Sequence, residues 1–286
     1  MLNDKETFLS KQIITYMGNK RKLLPILEKI FVDLKNELRE KYNKQDIITG
    51  DGFSGSGVVS RLLKIHSSEL YVNDNSSYSK TLNECFLSNV DNQFSKKIKG
   101  HIEHANFYVD NIEEDIPQFI GKHWTTKDRL YYTRENGKRI DKYRNFINML
   151  EPRFRPYLLA PLLVEASIHN NTGGHFSGFY KKDGIGNLGG KNSNDLKRIT
   201  KPIKLEMPIL YNNNCKVVIE RKNTNNWIND IPEVDIMYYD PPYNKHPYSI
   251  YYFMLELINQ WDTDLEIPNT LRGQPKNWEK SKYNSL

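Results

Sequence analysis

The sequence predicts an α/β fold built on a parallel sheet, and three observations carry that prediction. Short apolar runs of strand character alternate with stretches of helical periodicity. Two of those runs stop abruptly, one in a glycine-rich turn and one in Asp-Pro-Pro, so the chain leaves the sheet at their C-terminal ends. The third is aromatic content: 18 Tyr, 12 Phe and 4 Trp supply a core despite a mean hydropathy of −0.70, and such a composition excludes a disordered chain.

Taken in order, Leu23, Leu27, Ile30, Leu34 and Leu38 recur at helical spacing with Leu24 and Phe31 beside them, predicting an amphipathic helix. Asn19 is its candidate N-cap, and Pro25 is tolerable near the first turn. Asp46–Thr49 predicts a strand that runs into Gly50-Asp-Gly-Phe-Ser-Gly-Ser-Gly57, and Val58–Lys64 then reads as a helix. Leu70–Val72 predicts a second strand ending at Asn73-Asp74-Asn75. A helix over Tyr78–Leu87 follows, then a weaker strand over Phe107–Val109 that ends at Asp110. Tyr157–Ile168 reads as a helix interrupted or started by Pro161. Between Gly173 and Gly190 lie 7 of the 16 glycines, interleaved with aromatics and lysines; that composition predicts a loop suited to nucleic acid. Val234–Tyr239 reads as a buried strand stopping at Asp240-Pro-Pro-Tyr243, and Tyr248–Trp261 as a helix.

The 286 residues are enough for one large domain or two modest ones. The N-terminus is too polar for a signal peptide, and no apolar run approaches the roughly 18 residues of a membrane span. Cys85 and Cys215, without nearby partners, indicate neither a disulfide framework nor a zinc cluster, and no metal site is expected. A reducing cytoplasm fits this cysteine usage. The net charge of +6 is unevenly placed: residues 121–230 hold 20 Lys+Arg against 10 Asp+Glu, leaving 21 against 25 elsewhere. A basic segment in a mildly acidic frame suits contact with a polyanion, although a solvated basic surface has the same composition.

Three motifs carry chemistry. In Asp51-Gly-Phe-Ser-Gly-Ser-Gly57 the glycines allow a tight turn and bring backbone N–H groups against a ligand, as a βα turn without a ligand also permits. Asp74, ending the next strand, is placed to accept hydrogen bonds from ribose hydroxyls. In Asp240-Pro-Pro-Tyr243 the rings of Pro241 and Pro242 restrict the backbone, so the Pro241 carbonyl is held beside the Asp240 carboxylate. Two such acceptors suit an exocyclic amine and stabilise positive charge developing on its nitrogen, while Tyr243 is suited to stack on the base. In Tyr16-Met-Gly-Asn-Lys20, Lys20 is a candidate partner for a ligand carboxylate, with a solvated Lys-Arg-Lys run as the alternative.

In this order the motifs resemble the DNA adenine methylase (Dam-type) family of S-adenosylmethionine-dependent N6-adenine methyltransferases. The resemblance spans nearly the whole chain: an aromatic-x-Gly-x-Lys motif with Asn19 where the family has a second glycine, the acidic-x-Phe-x-Gly-x-Gly loop, a strand ending in an acid, a basic insertion, and Asp-Pro-Pro-Tyr. It implies a Rossmann-like methyltransferase sheet from residues 1–115 and 231–286, interrupted by a target-recognition domain over 116–230. It implies that Tyr16, Lys20, Phe53, Ser54, Gly55, Asp74 and Asp240 contact S-adenosylmethionine. Asp240, Pro241, Pro242 and Tyr243 are then the catalytic residues gripping a flipped adenine of duplex DNA. From its own composition the basic glycine-rich segment is expected to place Lys181 and Lys182 among the phosphate contacts. Asp110 would meet the cofactor's adenine. The implied sheet has seven strands, and the 25 residues after Trp261 contain no strand-like run. The C-terminal strands are therefore expected to be missing, and the chain alone to be poorly stable unless a downstream polypeptide supplies them. A restriction endonuclease is the other expected partner. N4-cytosine methylation, an RNA substrate, and an inactive remnant or half of a split enzyme remain open at this level.

Overall fold

The computed structural model describes residues 4–113, 118–242, 248–276 and 283. In chain order the elements are α1 (Lys5–Ser10), a 3₁₀ turn (Lys20–Leu23), α2 (Leu24–Tyr42), β1 (Ile48–Asp51), α3 (Val58–His66), β2 (Glu69–Asn73), α4 (Ser77–Phe86) and α5 (Asn92–Asn111). There follow α6 (Ile120–His123), β3 (Thr125–Thr126), β4 (Arg129–Leu130), α7 (Arg134–Met149), α8 (Arg155–Ile168), β5 (Lys181–Lys182) and β6 (Ile185–Gly186). The chain continues through α9 (Leu196–Thr200), β7 (Lys216–Glu220), α10 (Thr224–Asp230), β8 (Ile236–Tyr238) and α11 (Tyr248–Gln260). No described helix is long and apolar enough to cross a membrane.

Two compact units divide the chain, one of residues 1–91 and 208–242, the other of residues 92–207 and 243–286. The first holds a sheet in the order β7-β2-β1-β8, with every neighbouring pair parallel. Its core gathers Phe8, Ile13, Leu24, Phe31, Val58, Leu62, Leu63, Leu70, Val72 and Leu87. Apolar residues of α3 and β2 therefore face α2 across one layer, as burial of a common apolar surface requires.

Helix α3 carries two buried cations, Arg61 at 1% and Lys64 at 0% exposure. The Arg61 guanidinium donates to the carbonyls of Phe8, Lys11 and Gln12 at 2.8–2.9 Å and lies 4.1 Å from the Phe86 ring centroid. Lys64 Nζ donates to Ser88 O and Tyr211 O. These bonds tie the end of α1 and the strand entry near Tyr211 to α3. Burial pushes the Arg61 pKa down to about 9 and that of Lys64 to about 8.

Several expectations need correction. Phe107–Val109 is not a strand but the last turns of α5, and Asp110 pairs with Arg139 at 2.7 Å instead of ending a sheet strand. Ile98, Ile102, Ala105 and Val109 make one buried helical stripe, and that longer period prevails over the three β-prone residues. The third strand of the sheet in chain order is β7, and residues 208–230 fall in the sheet-bearing unit and not in the insertion expected over 116–230, while residues 92–115 and 243–286, expected in the catalytic part, fall in the other unit. On α2 the buried residues are Leu24 and Phe31, whereas Ile30 and Leu34, and Leu23 just before the helix, are exposed. Strand β8 is half-buried, not buried, because it pairs with β1 alone among the described residues. Pro161 neither starts nor breaks α8, which runs through it. The 173–190 segment contains, within its loop, the hairpin β5–β6.

In the second unit α7 packs against α5, α6 and α8, and α8 against α11. The buried Asp141 of α7 accepts hydrogen bonds from the N–H groups of Ile120 and Gly121 at 2.8 and 2.9 Å, satisfying the start of the short α6.

Candidate active site

The order of the four strands decides where a ligand goes. From β1 the chain builds outward to β2 and β7, then returns to lay β8 on the other side of β1. The connections on either side of β1 therefore diverge, and the crevice between β1 and β8 at their C-terminal ends is the topological switch point at which open α/β sheets bind ligands. Asp51 and Gly52 leave β1 there, and Asp240 follows β8.

The turn after β1 is held by a dense set of bonds. Gly52 N donates to Tyr238 O at 3.2 Å, Ser54 N to Asn73 O at 3.0 Å and Gly57 N to Ser54 O at 2.7 Å. Gly55 N donates to Asp74 Oδ2 at 2.8 Å, while Ser76 N donates to Asp74 Oδ1 at 2.8 Å. Asp74 thus fixes the glycine loop and its own turn together, and carboxylate oxygens accept more than one hydrogen bond. Gly55 has φ of +50°, and a Cβ there would lie 3.0 Å from the Tyr16 ring. Only glycine permits both the left-handed backbone and that approach.

Lys20 reaches the same place from the N-terminal segment. Asn19 caps its 3₁₀ turn by accepting from Arg21 N at 2.9 Å, and Lys20 Nζ then pairs with Asp240 Oδ2 at 2.6 Å. The Phe53 and Tyr239 rings lie 6.2 Å apart. The structure therefore brings together Tyr16, Lys20, Phe53, Ser54, Gly55, Asp74 and Asp240, with Pro241 and Pro242 following. Tyr243 lies outside the described residues. Lys181 and Lys182 form β5 in the second unit, where both are exposed.

Two residues here were not singled out by motif reading. Asn73 is buried and donates to Lys222 O and Thr224 Oγ1 while accepting from Lys222 N, joining β2 to the start of α10. Asp51, at 1% exposure, accepts from Ser60 Oγ at 2.6 Å and Phe53 N at 3.3 Å. Burial pushes its pKa up to about 7; those two bonds oppose the shift, and the charges of Asp74 and Asp240 add to it. Both residues stand inside quoted segments that gave them no role of their own; burial is the signal that marks them, and a single sequence does not display it.

Among the described residues the crevice thus gathers a glycine turn, the carboxylates of Asp51 and Asp240 at the ends of its two strands, and the Lys20 ammonium group. A family model described as D12 class N6 adenine-specific DNA methyltransferase matches residues 16–281. The chain belongs to that family. As a D12 class methyltransferase it acts on adenine in DNA, methylating N6, and the family implies S-adenosylmethionine as cofactor. The chain is 28% identical over 275 residues to the type II methyltransferase M.CviAII of Paramecium bursaria Chlorella virus 1, covering 94% of this chain and 75% of that protein. It is 27% identical over 260 residues to the type II methyltransferase M.NlaIII of Neisseria lactamica, covering 87% and 70%. Similarity to the modification methylase LlaI of Lactococcus lactis subsp. lactis reaches 29% over 261 residues, covering 86% of this chain and 38% of that one. No solved structure matches the chain significantly.

Proposed function

We propose that this D12 class methyltransferase binds S-adenosylmethionine in the β1–β8 crevice, takes its adenine flipped from duplex DNA, and serves as the modification enzyme of a restriction–modification system. The observation that carries the reading is the switch point: it puts the glycine turn, Asp74 and the Lys20–Asp240 pair on one crevice. The residues fit the cofactor. Lys20 is a partner for its carboxylate and Asp240 for its ammonium, each exchanging its present partner for a ligand group of the same charge. Tyr16 brings its ring against Gly55, and the Asp74 carboxylate is of the acceptor type that ribose hydroxyls require.

S-adenosylmethionine, when bound, supplies a sulfonium methyl group as electrophile. The chain's own part is to hold and polarise the base. Asp240 Oδ and the Pro241 carbonyl accept the N6 hydrogens, which directs the nitrogen lone pair and stabilises positive charge as it develops there. Flipping costs a few kcal/mol of lost stacking and pairing, and Tyr243 is assigned to offset part of it by stacking on the base. Recognition of the duplex is assigned to the inserted segment between the two parts of the sheet unit, with Lys181 and Lys182 on the phosphates. The names of the relatives, type II methyltransferases and modification methylases, support a restriction endonuclease as the partner enzyme, and a cytoplasmic location follows from that role.

The deciding experiment is methyl transfer from labelled S-adenosylmethionine to mixed-sequence duplex DNA, followed by identification of the modified base. N6-methyladenine is the expected product. N4-methylcytosine, or label in RNA only, would refute the reading.

A further inference from the structure

The second unit carries two tight hairpins, β3–β4 turning at Lys127-Asp128 and β5–β6 turning at Asp183-Gly184. They lie more than fifty residues apart in sequence and are joined in space. Gly186 N of β6 donates to Lys127 O at 3.0 Å. A Cβ at position 186 would lie 2.5 Å from that carbonyl and 2.7 Å from Leu130 Cβ, so glycine is what lets the hairpins meet. Asn171, at 0% exposure, spends all its polar groups on the same junction. Its N–H donates to Tyr131 O at 2.7 Å and its carbonyl accepts from Tyr180 N at 3.0 Å. Its side-chain amide donates to Leu130 O at 2.8 Å and Asn187 O at 3.0 Å, and accepts from Gly189 N at 3.3 Å. Both hairpins are thus clamped at their bases by one buried side chain.

Lys181 is opposite Gly186 in its hairpin, and Gly186 bonds Lys127. Through Gly186 the joined hairpins therefore bring the chain passes of Lys181 and Lys127 next to each other. Arg129, on the same hairpin, is committed to the protein through Pro268 O and Thr270 O. Lys127 is exposed, and no ion pair among the described residues engages it. Lys127 shares its turn with Asp128, and Lys181 and Lys182 run up to Asp183, so besides the committed Arg129 the two hairpins carry three lysines against two acids, a basic balance that suits a polyanion.

We infer that the β3–β4 hairpin binds the DNA backbone through Lys127 as part of one rigid element with β5–β6, contacting the same duplex as Lys181 and Lys182. The inference rests on the DNA reading above and adds to it a second hairpin and the Asn171–Gly186 junction that fuses the two.

The test measures the affinity of the full chain for a short mixed-sequence duplex over a range of salt concentrations. Each phosphate contact contributes about 0.9 to the slope of log affinity against log salt. Lys127→Ala is expected to lower the slope by about 0.9, and Lys181→Ala with Lys182→Ala by about 1.8. The triple variant should lose about 2.7, while Lys138→Ala on α7 keeps the wild-type slope. A wild-type slope in Lys127→Ala, a triple variant no lower than the double, or an equal loss in Lys138→Ala would overturn the inference alone. An affinity of the unaltered protein that ignores salt would defeat the DNA reading and this inference together.

Discussion

Lys20 and Asp240 satisfy each other at 2.6 Å, yet each belongs to a different stretch of chain and meets the other only where the 3₁₀ turn approaches the end of β8. Removing either leaves the other charge without its partner. Lys20→Ala and Asp74→Ala should each weaken S-adenosylmethionine binding by about 1–3 kcal/mol, the range for a lost charged hydrogen bond; isothermal titration showing unchanged affinity for both would sink the assignment. Asp240→Ala removes an acceptor from the reacting amine and should lower kcat by about 10²–10³ with little change in DNA affinity, which depends on phosphate contacts elsewhere. Gly55→Ala combines a strained left-handed backbone, about 1–2 kcal/mol, with a methyl group 3.0 Å from the Tyr16 ring. The expected result is a higher KM for the cofactor, measured at saturating DNA.

At the scale of elements, the N-terminal segment that carries Tyr16 and Lys20 is fastened to α3 by Arg61. Its guanidinium serves three carbonyls that follow or end α1, and no carboxylate contacts it among the described residues. Arg61→Met keeps the apolar stem between the Phe8 and Phe86 rings but leaves those carbonyls without their donor. The predicted cost is about 3 kcal/mol, read as a lower midpoint in urea. Because residues 8–12 lead directly into the Tyr16 turn, the variant should also lose cofactor affinity at temperatures where it remains folded. The same scale explains the misread strand at 107–109. Three β-prone residues look like a strand in isolation, and only the apolar stripe from Ile98 to Val109 shows that they finish a helix.

For the molecule as a whole, two buried carboxylates make stability depend on pH in one direction. Burial raises Asp51 and Asp141 from the ordinary 3.8 to about 7. Between those values the folded chain keeps protons on these two groups that the unfolded chain has released, so their contribution to stability falls as pH rises from about 4 to about 7 and levels off above. Asp51→Asn removes one of the two groups and should flatten that fall, visible as a smaller change in urea midpoint between pH 4.5 and 7.5. A variant with the full wild-type pH dependence would show that Asp51 is ionised throughout the range.

What the sequence determined by itself was the local chemistry: glycines where a strand must turn sharply into a helix, an acid at the end of the next strand, and prolines that stop β8 and hold Asp240. These are short-range constraints, set by backbone sterics and by neighbours a few residues away, so they are legible in a linear chain. The tertiary structure alone decided that β7, not residues 107–109, extends the sheet, because strand pairing across more than 140 residues depends on which edge of β2 is available. It alone decided that Asp51 is buried, that Lys20 finds Asp240, and that Asn171 clamps two distant hairpins. Those facts are set by burial and long-range packing, to which no local pattern is sensitive.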